Sequence, residues 1–482
     1  MPFHDRHGRA TAGNREDRLY RLQRDAEENQ ASALLPGEEI RFVGLTCVEM
    51  YTPSTIGALR RSLVHLEWVR DDEFEPPFTN LDRWLDITRG NPFGGAWANL
   101  SRIGDKSEGR PLGGGLTAVM PVGFSEAWAG LYSITPSLSC LVLHFVADDT
   151  TALSLHQPFQ VEWETEWRRR DGGGWTMPGP VNLRREAVNN IRRDLRERCH
   201  DWMGANLPGV FTGSRNSSGA MPSIEIFTCE LARPFTRTDP VAGIDAYPHV
   251  LRIDNEFDAL AADGLPGWRL SLLDDEIGNR DYALRLGARV ADIDNDLNPY
   301  GGLTNHGLGN YLSHRISGFA TRYGINCLLA EYERHVAGIR DRVAASSQPT
   351  NRREQVAQFE HLFRLVTDES FDARIVASEL RVMAQEEWRF CREVLPFKYI
   401  HEWRREHEPD LASNLRESTL IRTENLLAAE QLLRDSISNV SSIVTARVDL
   451  RLATTVLWLT WVAVGTGVIA LVVSILALLG GG

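Results

Sequence analysis

Residues 40–50, IRFVGLTCVEM, decide the fold class. Their Val, Ile, Phe and Thr content suits a pleated strand. Residues 53–68 follow with Ile56, Leu59, Leu63 and Leu66 at the spacing of a helix face. Working outward, residues 116–122, 127–134 and 137–146 read as three more strands, with turns near Gly123 and at Thr135-Pro136. A polar helix is expected over 150–170, broken by Asp171-Gly172-Gly173-Gly174, and another over 183–207, stopped by Pro208-Gly209. Further strands are expected at 223–231, 249–253, 268–273 and 282–290. Strands and helices interspersed in this way predict an α+β (mixed α/β) domain over 38–300, a sheet covered by helices.

Upstream, residues 1–37 are polar and carry charges of both signs, and they read as a flexible arm with a short helix near 16–30. They hold no apolar core of the kind a secretory signal needs. Downstream of residue 304 strand signals stop. Helices are expected at 304–345, 351–366 and 371–394, giving a helical region over 304–408. A long stalk helix follows over 410–451, with Pro409-Asp410 supplying its N-cap. Leu426, Leu433 and Val440 recur at seven, the loose heptad of a short coiled coil or a bundle seam.

Residues 452–479, LATTVLWLTWVAVGTGVIALVVSILALL, contain no charge. About 20 apolar residues in a helix span a ~30 Å hydrocarbon core, so one C-terminal transmembrane helix is expected here. Trp458 and Trp461 suit the headgroup level, and Arg447 and Arg451 flank the same side. Positive charge before the span places the N-terminus and the main domain in the cytosol, which describes a tail-anchored, single-pass protein of the cytoplasmic membrane. Within the span Ala463, Gly467, Ala470, Ser474 and Ala477 fall on one stripe of small residues. Such stripes let helices approach closely in lipid, so the expected partners are the lipid bilayer and further copies of the chain, a homo-oligomer.

The order of an α/β domain, helical hairpins, a long stalk and a C-terminal apolar segment resembles the CorA-type magnesium transporter family. The text carrying the resemblance is residues 438–473, SNVSSIVTARVDLRLATTVLWLTWVAVGTGVIALVV, similar to a stalk entering a first membrane helix. No Gly-Met-Asn signature and no second apolar run follow Leu479. The resemblance implies an oligomeric funnel on a stalk, and a degenerate ion-handling protein as the alternative to a non-catalytic interaction or scaffolding role. A membrane-anchored enzyme is the third reading.

Composition narrows the chemistry. The 482 residues carry a net charge of −13, which offers no bulk attraction to nucleic acid, and no nucleic-acid partner is expected. Lys106 and Lys398 are the only lysines among 52 basic residues, a bias that fits a GC-rich coding genome. Six cysteines lie far apart with no CxxC pair, against a zinc ribbon or a disulfide framework. His401 and His407 flank a HExxH-like string, but histidines six apart leave a helix on different faces. Asp292, Asp294 and Asp296 alternate like calcium ligands, yet Leu297 and Leu303 stand where a calcium loop needs Gly and Glu. Gly113-Gly114-Gly115 and Gly172-Gly173-Gly174 lack the Lys of a phosphate loop. The arginine-rich stretch 183–198 reads as an amphipathic helix with a solvated basic face. No catalytic, cofactor-binding or metal-ligating residue is nominated, and no cofactor is expected.

Overall fold

A computed structural model of the chain describes residues 12–68, 81–91, 95–106, 116–169, 173–213, 220–236, 247–272, 282–293, 297–346 and 370–479. Side chains are described for all of these except 12–17, 81–82, 101, 343–346, 370, 436–437, 439–453 and 468–479. The helix expected at 351–366 lies outside the described residues, as do Asp294, Asp296 and Gly113-Gly114-Gly115.

The chain begins with α1 (Ala12–Ala31), β1 (Ile40–Tyr51), α2 (Ile56–His65) and α3 (Leu81–Arg89). Strands β2 (Ala96–Asp105), β3 (Leu116–Ala118), β4 (Phe124–Thr135) and β5 (Leu138–Ala147) follow. Next come α4 (Asp149–Ala152), the two-residue pair β6 (Arg168–Arg169) and β7 (Trp175–Thr176), α5 (Pro180–Asn206) and α6 (Val210–Gly213). After β8 (Ser223–Cys229) and α7 (Tyr247–Leu251) run β9 (Ala259–Ala261), β10 (Trp268–Ser271) and β11 (Ala283–Arg289). The remainder is α8 (Asn305–Ser346), α9 (Ser370–Gln385), α10 (Glu387–Cys391), β12 (Lys398–Tyr399), α11 (Glu402–His407) and α12 (Leu411–Leu479). The fold class is α+β.

Ten strands form one mixed sheet in the order β12-β9-β10-β11-β8-β1-β5-β4-β2-β3. Only β8 with β11 and β2 with β3 run parallel; the other neighbours are antiparallel. Strand β1 lies in the middle and is buried on both faces. Side chains alternate across a strand. Accordingly Thr46, Val48 and Met50 turn toward α8, where a Cβ on Gly324 would lie 2.7 Å from Val48 Cγ1 and 2.6 Å from Met50 Cε. Cys47, Glu49 and Tyr51 turn the other way, toward α5 and α6; the Tyr51 hydroxyl donates to the Leu207 carbonyl at 2.8 Å.

Glu49 closes the second face. Its carboxylate accepts the amides of Met50 (2.9 Å), Phe211 (2.8 Å) and Thr212 (3.0 Å) and the Thr212 hydroxyl (2.7 Å). Burial nevertheless pushes its carboxyl up to about 7 against those four donors.

Two expectations are corrected. Residues 150–170 do not form a polar helix: α4 ends at Ala152, a 3-10 turn covers Gln157–Phe159, and 162–167 are irregular. Pro158 interrupts the helical ladder, and the freed carbonyls of Pro158 and Val161 both accept from the Arg184 guanidinium at 3.2 Å. Residues 249–253 are not a strand, because Pro248 sits in the first turn of α7, where its missing N–H costs nothing. The short helix expected near 16–30 is α1, whose Asn29 side chain pairs with the Trp163 backbone and whose Asp25 accepts from the Thr165 amide.

The chain divides into two compact units, Met1–Glu331 with Ile375–Thr423, and Tyr332–Arg374 with Glu424–Gly482. The first contains the whole sheet. In the second, Val336, Ile339, Leu426 and Leu433 are buried, and buried Glu430 pairs with Arg434 and, at 3.8 Å, with Arg374. Asp410 caps α12 as expected, accepting the Ser413 amide at 3.0 Å.

The membrane reading of the C-terminus is also corrected. Among the described residues no helix is long and apolar enough to cross a membrane. Helix α12 runs to Leu479, with side chains described for 454–467 of the apolar text. A tail-anchored, single-pass protein of the cytoplasmic membrane is therefore not supported, and neither is an ion pore built from that span. Trp458, Trp461, Ala463 and Gly467 are exposed on α12, and nothing lies within 4 Å of a Cβ built on Gly467. Arg447, Arg451, Ala470, Ser474 and Ala477 belong to the same helix, their side chains outside the described residues.

Candidate functional site

The site begins where a helix is made to lie unusually close to its neighbours. Glycine inside a helix costs about 1 kcal/mol relative to alanine, yet α8 carries several. A Cβ on Gly318 would stand 2.0 Å from the Glu393 carbonyl oxygen. Only glycine lets the turn after α10 press onto α8. That turn is itself strained: Glu393 has φ of +61°, in the region that non-glycine residues rarely adopt. Arg322, one turn further along α8, pins it by donating to the Phe390 carbonyl at 2.7 Å and lying over the Phe390 ring at 5.5 Å. Burial pushes the Arg322 guanidinium down to about 10.

Between this turn, α8 and the outer strands β2 and β4 lies a groove of two adjoining chambers, about 340 and 280 Å³. Trp97, Tyr132, Gly318 and Glu393 line both. The first chamber has indoles at its rim, Trp97 (52% exposed) and Trp388 (68% exposed). It also holds Arg322, Arg389 and Arg392 against Glu386 and Glu393, an excess of one positive charge. The second is more polar and contains Asn99, Trp128, His144, Ser313, His314 and Ser317.

A chain of hydrogen bonds crosses the second chamber. Thr46 Oγ1 lies 2.8 Å from His144 Nδ1, and His144 Nε2 lies 2.8 Å from Ser317 Oγ. The arrangement has the outline of a serine–histidine pair with a third orienting group. Its hydrogens point the wrong way for that chemistry. Ser317 donates to the Ser313 carbonyl at 2.7 Å, so its oxygen faces His144 as an acceptor. His144 then donates from Nε2 and accepts the Thr46 proton at Nδ1, the tautomer that satisfies every partner. Burial, with His314 nearby, pushes His144 down to about 3, so the imidazole is neutral and a weak base. The Tyr132 hydroxyl also bonds Ser317, and burial pushes it up to about 12. These groups are a rigid polar wall.

Other groups have no partner. Ser133 Oγ, beside the first chamber, and Trp128 Nε1, beside the second, are buried without a hydrogen-bond partner among the described residues. A buried donor left unmet costs about 1–3 kcal/mol, and here both border empty volume.

Among the described residues, none of the strings singled out in the sequence enters this groove. His401 packs on Phe257 at 5.0 Å and His407 stacks on Trp403 at 5.0 Å, so they serve different neighbours. Asp292 is bound by Arg233 and Arg289, which hold its carboxyl down to about 2. Two arginines of the stretch 183–198 are inside the protein: Arg184 fans onto Pro158, Val161 and Asn29, and Arg192 onto the Leu251 carbonyl. The groove residues come from four distant stretches, and the only local signal for them is glycine in the interior of α8. No protein-family profile, curated protein or solved structure matches this chain.

The Gly318→Ala variant tests the close approach. Its Cβ meets backbone rather than a movable side chain, so about 2 kcal/mol of stability is expected to be lost in chemical denaturation, despite alanine's better helix propensity. Unchanged stability would mean that the turn moves freely off α8.

Proposed function

We propose that this chain is a non-catalytic binding protein whose groove takes a small organic anion with a planar ring. The observation that carries this reading is a groove with two unmet buried donors, Ser133 Oγ in the first chamber and Trp128 Nε1 in the second, together with the rim indoles and arginines of the first. Indoles offer flat apolar faces to a ring. Guanidinium groups match a carboxylate in planar, two-pronged fashion. The inward hydrogen-bond polarity of the His144 chain argues against using Ser317 as a nucleophile.

The test is a titration with 2-naphthoate, followed by tryptophan fluorescence and calorimetry, beside the uncharged 2-naphthalenemethanol. Saturable binding that favours the carboxylate is expected. Trp388→Ala, on an exposed side chain, is expected to weaken it about three- to tenfold, the worth of one aromatic contact. No saturable binding, or equal affinity for the neutral compound, would overturn the reading.

A further inference from the structure

The arginines of the first chamber, Arg322, Arg389 and Arg392, differ in what already holds them. Arg392 is exposed and reaches Glu393 at 3.5 Å. Arg389 has partners of its own. Arg322 is half-buried on α8, and its contacts are all with neutral groups. Its Nε donates to the Phe390 carbonyl at 2.7 Å, its Nη1 donates to Thr321 Oγ1 at 3.1 Å, and the guanidinium lies over the Phe390 ring. Among the described residues no carboxylate forms an ion pair with it; Glu393 acts on it only from a distance.

Those neutral contacts set the guanidinium in one orientation. The Thr321 hydroxyl donates to the Gly318 carbonyl at 2.7 Å, so its oxygen faces Arg322 as an acceptor. The Phe390 carbonyl fixes Nε, and the Phe390 ring covers one face of the plane. Nη2 and the second hydrogen of Nη1 are left over. Nη2 has no partner among the described residues and is not sealed inside the protein, and Arg322 lines the chamber. Burial disfavours the charged form of this group. An anion placed against it restores the interaction that lost water would have supplied. Oriented donors, a charge with no counter-charge in contact and an open volume therefore coincide at one side chain.

Resting on the reading of the groove given above, we infer that Arg322 is its specificity-determining residue and that the ligand class is an aryl carboxylate. The carboxylate lies inward against Nη2 and Nη1 of Arg322, and the ring turns outward to the indoles of Trp97 and Trp388. Two N–H groups of one guanidinium plane match the two coplanar oxygens of a carboxylate. Arg389 and Arg392, already engaged, add little to this choice.

The full chain is titrated by calorimetry with 2-naphthoate and with 2-naphthalenemethanol, as wild type, Arg322→Lys, Arg322→Gln, Arg389→Gln and Arg392→Gln. The quantity read is the ratio of the two affinities, because a merely structural loss weakens both ligands alike. Arg322→Lys is expected to lower the ratio about tenfold, the worth of one charge-assisted hydrogen bond in a two-pronged pair. Arg322→Gln is expected to abolish the preference for the carboxylate. Arg389→Gln and Arg392→Gln are expected to leave the ratio within about twofold. These two variants decide the matter even where the Arg322 variants disturb the turn that Arg322 pins. Loss of the preference in either one assigns the carboxylate to that arginine and overturns the proposal. A ratio unchanged in both Arg322 variants also overturns it, while leaving the groove as the binding site. Absence of saturable 2-naphthoate binding to wild type overturns the groove reading and this inference together.

Discussion

The Glu225→Gln variant is expected to lose about 3–5 kcal/mol of unfolding free energy, the cost of leaving buried charge without its partner. The amide keeps the shape of the carboxylate but removes the counter-charge that Arg192, Arg196 and Arg285 share. Its NH₂ group also points a donor at guanidinium donors. Denaturation in urea measures the loss, with Arg193→Gln as a surface control expected to stay within about 0.5 kcal/mol. A Glu225→Gln loss under about 1 kcal/mol would show that water reaches the cluster and screens it.

Stability is expected to fall by about 3 kcal/mol as pH rises from about 4.5 to 7 on account of Glu49 alone. Its folded carboxyl is raised from 4.5 to about 7, so in this window the folded protein holds a proton that the unfolded chain releases. The stabilisation is full below the unfolded value and is lost as pH climbs through the folded one. Glu49 is completely buried, so solvent screening does not reduce the effect. The measurement is the pH dependence of unfolding free energy in wild type and in Glu49→Gln, which cannot titrate. Parallel curves would show that the four donors to Glu49 keep it ionised throughout.

Residues 40–50 and 137–146, apolar on both faces, were readable in the sequence and lie side by side in the middle of the sheet, with 127–134 as the next strand. Strand β2 was not readable: Ala98, Leu100 and Ile103 are buried, but a bulge between Asn99 and Ser101 breaks the alternation that periodicity relies on. Arg184 and Arg192 look like a solvated face in one dimension, and only the fold shows which carbonyls and carboxylates surround them. The groove was illegible for the same reason. Trp97, Tyr132, Arg322 and Trp388 become neighbours through sheet order and a glycine contact, and no local pattern records either. The apolar text of 452–479 carried the strongest expectation of all, and among the described residues it does not yield a membrane-crossing helix.

The two margins of the ten-strand sheet are short, β12 with two described residues and β3 with three. An edge recruits another chain by offering it a row of free amides and carbonyls, and rows this brief give an incoming strand almost nothing to zip onto. Growth of the sheet into a neighbouring molecule is thereby discouraged at both ends. A protein built on one ten-strand sheet gains from this a built-in resistance to templated aggregation.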